Sequence, residues 1–173
     1  MIARLEPLMF TPMTPARNRQ PFKSDYVSAV GRATLCFTLC EWNVVYCCER
    51  IQPGTLQRIV GDEFTAGRIA KRFVNLVGRM PNSAERTELL AVANRFSDLV
   101  VLRNRIIHGK PCTGPNGEAR LSSTGVLEVP ELEAAADSFA DCSHEANRLL
   151  HGFLSTYSPK RSPQRSPSPR RHT

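Results

Sequence analysis

Residues 82–109, NSAERTELLAVANRFSDLVVLRNRIIHG, decide the fold. Leu89, Val92, Phe96, Leu99 and Val100 recur at the three-and-four spacing that lays one apolar stripe along an α-helix. Asn82 followed three residues later by Glu85 is the pattern of a reciprocal N-terminal cap. Gly109 can take the left-handed conformation that ends a helix, and Pro111 cannot continue the ladder, so the helix is expected to stop near His108. A helix of about 25 residues is roughly 38 Å long, enough to span a small domain.

Working outward, the flanking segments also read as helices. Residues 24–51 carry Val27, Val30, Thr34, Phe37, Glu41, Val44 and Cys48 on one stripe, while Leu35, Leu39, Trp42, Val45 and Tyr46 make other faces apolar. A helix so apolar around its circumference is central to a bundle or shared with a second copy of the chain. Ser24 is the expected cap, Phe22 is placed to fold back on the first turns, and Pro53-Gly54 supplies the stop. A short piece over 55–60 and a helix over 65–79, with Ile69, Phe73, Leu76 and Val77 inward, precede the corner at Pro81. After the long helix, Pro115-Asn116-Gly117 is a turn. Residues 119–122 and 126–129 around Thr124-Gly125 then predict a small exposed hairpin. Pro130 with Glu131 and Glu133 opens a last helix running to about Tyr157. The expected fold is all-α, a four-or-five-helix bundle with a small β-hairpin or irregular insertion before the last helix. The domain boundaries are an arm over 1–23, a helical body over 24–156 and a Ser/Pro/Arg tail over 157–173.

The formal charge of +7 belongs to the ends of the chain. Residues 1–23 hold Arg4, Arg17, Arg19 and Lys23 against Glu6, a balance of +3; residues 157–173 hold Lys160, Arg161, Arg165, Arg170 and Arg171 with no acid, a balance of +5. The body between them is therefore −1, with 14 basic and 15 acidic residues, and an argument from bulk charge for nucleic-acid binding is an argument about the ends. Both ends are expected to be flexible, the tail because it has almost no apolar residue to bury. Four of the six cysteines, Cys36, Cys40, Cys47 and Cys48, fall in one helical segment. They read as reduced, buried thiols in a cytoplasmic protein, not as a disulfide framework or paired zinc half-sites. No signal peptide, membrane helix, metal site or cofactor is expected.

Chemistry is concentrated in Arg103-Asn104-Arg105-Ile106-Ile107-His108-Gly109. Arginine presents a fork of donors that fits phosphate oxygens, and histidine exchanges a proton near neutral pH. An amide one turn before the histidine can orient its ring. These parts suit metal-independent RNA cleavage: His108 would take the proton of a ribose 2′-hydroxyl, and Arg103 would stabilise charge growing on the phosphate oxygens. Arg103 and His108 are about 140° and 7.5 Å apart on a lone helix, so two copies related by a two-fold axis would make the better cleft. Arg105 and Lys110 are the candidate RNA-binding residues beside them. The purely structural alternative pairs Arg103 with an acid such as Glu41 and leaves His108 capping the last carbonyls.

The order Arg103-Asn104-x3-His108-Gly109 at the end of a long helix resembles the Arg-x4-His signature of the HEPN superfamily, the higher eukaryote and prokaryote nucleotide-binding domains. Cys40-Glu41-Trp42-Asn43 in an early helix and Phe64-Thr65-Ala66-Gly67-Arg68 opening the next extend the similarity over residues 24–156. The resemblance implies a helical bundle, often dimeric, with a metal-independent endoribonuclease site. In it Arg103 would contact the phosphate, His108 would be catalytic base or acid, and Asn104 would be the polar residue that commonly follows the arginine. It also implies toxin, toxin–antitoxin or phage-defence roles. The other expectation it carries is a non-catalytic nucleotide-binding or protein-interaction module, again with an antitoxin or other protein partner.

Overall fold

The computed structural model describes residues 22–158; residues 1–21 of the arm expected over 1–23, and 159–173 of the tail expected over 157–173, lie outside the described residues. The elements are α1 (Ser24–Ile51), α2 (Thr55–Gly61), α3 (Ala66–Gly78), α4 (Ala84–Ile107), β1 (Lys110–Thr113), β2 (Ala119–Ser122), β3 (Val126–Leu127), α5 (Val129–His151) and α6 (Phe153–Thr156). This is a helical bundle with a small antiparallel sheet, ordered β1-β2-β3, inserted before the last long helix. No helix among the described residues is long and apolar enough to cross a membrane.

Each helix orients its neighbours through contacts that can be read along the chain. Arg32 pairs with Glu133 at 2.7 Å, Asn43 donates to Ser143 Oγ at 2.9 Å, and Cys47 Sγ donates to the Ala146 carbonyl at 3.6 Å. Residue numbers rise together on both helices, so α1 and α5 run parallel. Arg95 meets Asp141 and Glu145 while Glu88 meets Arg148, so α4 runs antiparallel to α5. These exposed pairs add little stability. The stabilisation comes from the interior they align, where Phe37 stacks on Phe96 at 5.8 Å and meets Phe139 edge-on at 5.2 Å. Here α1, α4 and α5 converge.

Several helix ends form differently from the sequence expectation. Lys23, not Ser24, is the N-cap of α1, with no side-chain cap, and Asp25 accepts the Tyr26 N–H instead. At α4 the cap is Ser83, whose hydroxyl accepts from the Arg86 N–H at 3.1 Å. Asn82 instead accepts from the Arg86 guanidinium, which also bonds the Val77 and Gly78 carbonyls and so closes the α3–α4 corner. The reciprocal cap appears at α5, where Glu128 and Glu131 satisfy each other's backbone N–H groups. The positive φ angles among glycines are at Gly54 and Gly117, not at Gly109. Gly109 is favoured for another reason: a Cβ there would lie 3.0 Å from Leu121 Cβ and 3.2 Å from the Arg105 carbonyl, closer than most side chains approach.

The insertion is larger and less exposed than a hairpin. β1 adds a third strand, pairing Lys110 with Ser122 and Thr113 with Ala119, and Arg120 and Leu127 are buried. The Tyr26 hydroxyl of α1 accepts the Leu121 N–H at 2.9 Å and so pins the sheet to the bundle. Tyr26→Phe leaves that N–H without its partner and is expected to cost about 1 kcal/mol. Amide exchange should read this as faster exchange at Leu121 with α4 unchanged.

Candidate functional site

α3 has 13 residues and α4 has 24, and the two are joined by the corner Arg86 closes, so α3 covers only the beginning of α4. About the last three turns of α4 run past it. There Val101 and Ile107 are exposed at 64% and 40%, and Asn104 and His108 are exposed as well. The sequence motif thus stands on an open face of the bundle, built on a rigid helix and not on a loop.

Arg103 is half-buried and reaches across to α1. Its guanidinium carbon lies 5.5 Å from the centre of the Phe37 ring, a cation–π contact, and its Nη1 donates to Asn104 Oδ1 at 3.0 Å. The Asn104 carbonyl oxygen is therefore engaged by arginine, and no hydrogen bond joins the Asn104 side chain to His108. The orienting role expected for the amide falls on Arg103 in this arrangement. Asn104 still reaches His108 through the backbone, accepting its N–H at 3.0 Å. His108 is the C-cap of α4, with its ring in the open.

The two candidate RNA-binding residues are placed differently from each other. Arg105 is half-buried, and its Nε is enclosed without a hydrogen-bond partner. Lys110 is exposed at the first residue of β1, paired with Ser122. The close approach of Gly109 to Leu121 fixes the chain between His108 and Lys110 against the sheet. The insertion thus forms one wall beside the motif.

Glu41, one helical turn after Phe37, is partly buried on the α1 side within reach of the Arg103 charge. Burial holds its carboxyl above the ordinary 4.5, and the Arg103 guanidinium only partly offsets this. The acid and arginine therefore attract each other, without forming an ion pair at contact distance. Folding favours the protonated acid, so its contribution to stability is complete below pH 4.5 and is lost as pH rises through the raised folded value. Glu41→Gln is accordingly expected to raise the thermal midpoint at neutral pH and to lose that advantage in acid. Melting curves across pH check the sign; a variant less stable than wild type at neutral pH would mean that attraction to Arg103 outweighs burial.

Elsewhere, His144 and His151 are exposed on α5. Cys40 and Cys47, both buried, are poor nucleophiles. A hydrogen bond with Cys142, and then burial, raise Cys40, while burial pushes Cys47 up to about 12. Trp42 and Tyr46, expected in the core or at an interface, are exposed at 42% and 45% and take no part in the core. Sequence reasoning missed one charged cluster. Arg120 and Glu118 alternate along β2 and its approach, so the period of two that puts them on one face was available as a signal. No protein-family model, curated protein or solved structure matches the chain.

Proposed function

We propose that this protein is a metal-independent endoribonuclease of the HEPN type, with His108 exchanging the proton of a ribose 2′-hydroxyl and Arg103 binding the phosphate. One observation carries the reading: Arg103, Asn104 and His108 stand together on the open end of α4, with Arg103 held by Phe37 and Asn104 and His108 exposed. A side chain meant only for structure has no need of that exposure. The half-buried guanidinium keeps its position while its remaining donors face a substrate, which is the preorganisation charge stabilisation requires. Lys110 supplies a further exposed cation for the RNA backbone.

The working form in this reading is a homodimer in the cytoplasm, because one helix presents Arg103 and His108 on diverging directions and a second copy completes the cleft. Toxin–antitoxin or phage-defence use fits an RNA-cutting activity that a cell must restrain, and an antitoxin is then the protein partner. The alternative is a HEPN-like module that binds a nucleotide or protein without cutting. The net charge of −1 over the body favours it, since extensive RNA contact calls for a basic surface. The deciding experiment offers purified protein a varied set of single-stranded and looped RNAs in the presence of EDTA. Cleavage supports the first reading. Absence of cleavage, with tight nucleotide or protein binding, moves the assignment to the second.

A further inference from the structure

We propose that the second copy docks on the outward face of α1, through Leu35, Leu39, Trp42 and Tyr46. The proposal rests on the exposure of this helix and needs no catalysis. Leu35 and Leu39 are exposed at 67% and 65%, and Trp42 and Tyr46 at 42% and 45%, the largest run of exposed apolar side chains on any described element. Their spacing of four, three and four places them on one stripe, on the side of the helix away from Ala33, Phe37, Cys40 and Val44 in the core. The stripe is about 17 Å long at 1.5 Å per residue. The Trp42 and Tyr46 rings lie 5.8 Å apart, so its C-terminal half is a continuous aromatic surface.

The four side chains leave on the order of 500 Å² of apolar surface in water, the size at which a patch marks an interaction site. That is also a fitting centre for the roughly 800 Å² each partner of a stable complex buries. The stripe contains no charged residue, and Arg32 on its flank is already paired with Glu133. An anionic partner such as nucleic acid or lipid headgroups therefore finds nothing to recognise there.

A second copy fits because the stripe complements itself. Its N-terminal half is aliphatic and its C-terminal half aromatic. Two α1 helices crossing antiparallel, midway between Leu39 and Trp42, set Leu39 against Trp42 of the second copy and Leu35 against its Tyr46. Each slender side chain then meets a broad one, at both ends and with one symmetry axis.

Light scattering on the full chain across the micromolar range is the test, with cleavage measured separately so that either proposal can fail alone. Wild type is expected at twice the 19.3 kDa chain mass. Leu39→Glu and Trp42→Lys, each at an exposed position, are each expected to weaken association by about 30-fold or more while keeping the helical circular dichroism spectrum. Should Leu39→Glu lose that spectrum, Leu35→Ser carries the same expectation. Mixing the Leu39→Glu and Trp42→Lys chains should restore the dimer, since the antiparallel crossing places the new acid against the new base. A wild-type monomer throughout, or a dimer indifferent to Leu39→Glu and Leu35→Ser, overturns the proposal. A mixture that stays monomeric overturns the antiparallel crossing.

Discussion

Alanine in place of His108 is expected to lower the rate of RNA cleavage by about 100-fold or more, the lower scale for loss of a general acid or base. The fold should survive, because the His108 ring is exposed and the helix end is held by its backbone N–H on the Asn104 carbonyl, which alanine keeps. RNA binding should change far less than rate, since in the proposed reaction the imidazole acts on the proton and Arg103 holds the phosphate. Binding and cleavage must therefore be measured side by side. Arg103→Ala is a less clean companion: the guanidinium also rests on Phe37 and offsets the burial of Glu41, so its loss moves stability as well as chemistry. Equal cutting by wild type and the His108→Ala variant would assign the activity to another site or another protein.

The pH profile separates the readings further. If the ring acts as the base, any acid limb of the wild-type rate profile should be absent from His108→Ala along with the loss of rate. A histidine that only caps carbonyls at a helix end would leave any residual cleavage with the same profile in variant and wild type.

The long helices were legible because their signal is periodic: the stripe from Leu89 to Val100 is the buried face of α4, and all five of its residues are in the core. On α1 the expected stripe was only partly right: Val27 is 50% exposed, and Tyr26, Ala29, Ala33 and Cys40 lie in the core beside Phe37 and Val44. Elsewhere what failed was chemistry at single positions. Asn82 and Ser83 both fit an N-cap, and the choice between them was made by Arg86, which takes Asn82 to close a corner with α3 and leaves Ser83 for the helix. That corner is a tertiary fact with no local signature. Gly109 likewise was recognised as necessary for the wrong reason, because the approach of Leu121 comes from a strand twelve residues away. At the site, the pattern gathered Arg103, Asn104 and His108 correctly on one end of one helix. It could not show that Asn104 serves the arginine and not the histidine, because that depends on where Phe37 of α1 holds the guanidinium.

Replacing Arg120 with methionine is expected to lower the thermal midpoint by about 10 °C or more, the scale at which a broken buried ion pair unsettles a domain of this size. Arg120 is 8% exposed, and its guanidinium is shared between Glu118 at 3.2 Å and Glu128 at 3.0 Å while lying 4.7 Å over the Tyr26 ring. The Glu118 side chain is 7% exposed and its second oxygen already lacks a partner, so it depends on this one cation. Methionine fills the space but not the charge, and the carboxylate is left enclosed without an opposite. Glu128 is less affected: it is more exposed and keeps its capping bonds at the start of α5. Adding Glu118→Gln should therefore recover most of the lost midpoint, although each change removes one partner of the same pair. The damage should be local, appearing as faster amide exchange in β2 before α4, because this cluster and the Tyr26 hydroxyl are what fasten the sheet to α1. A midpoint within 2 °C of wild type would show that Glu118 reaches water when released. Failure of Glu118→Gln to rescue would locate the loss in the contacts of Arg120 that the second change does not address, those with Glu128, the Ala119 carbonyl and the Tyr26 ring.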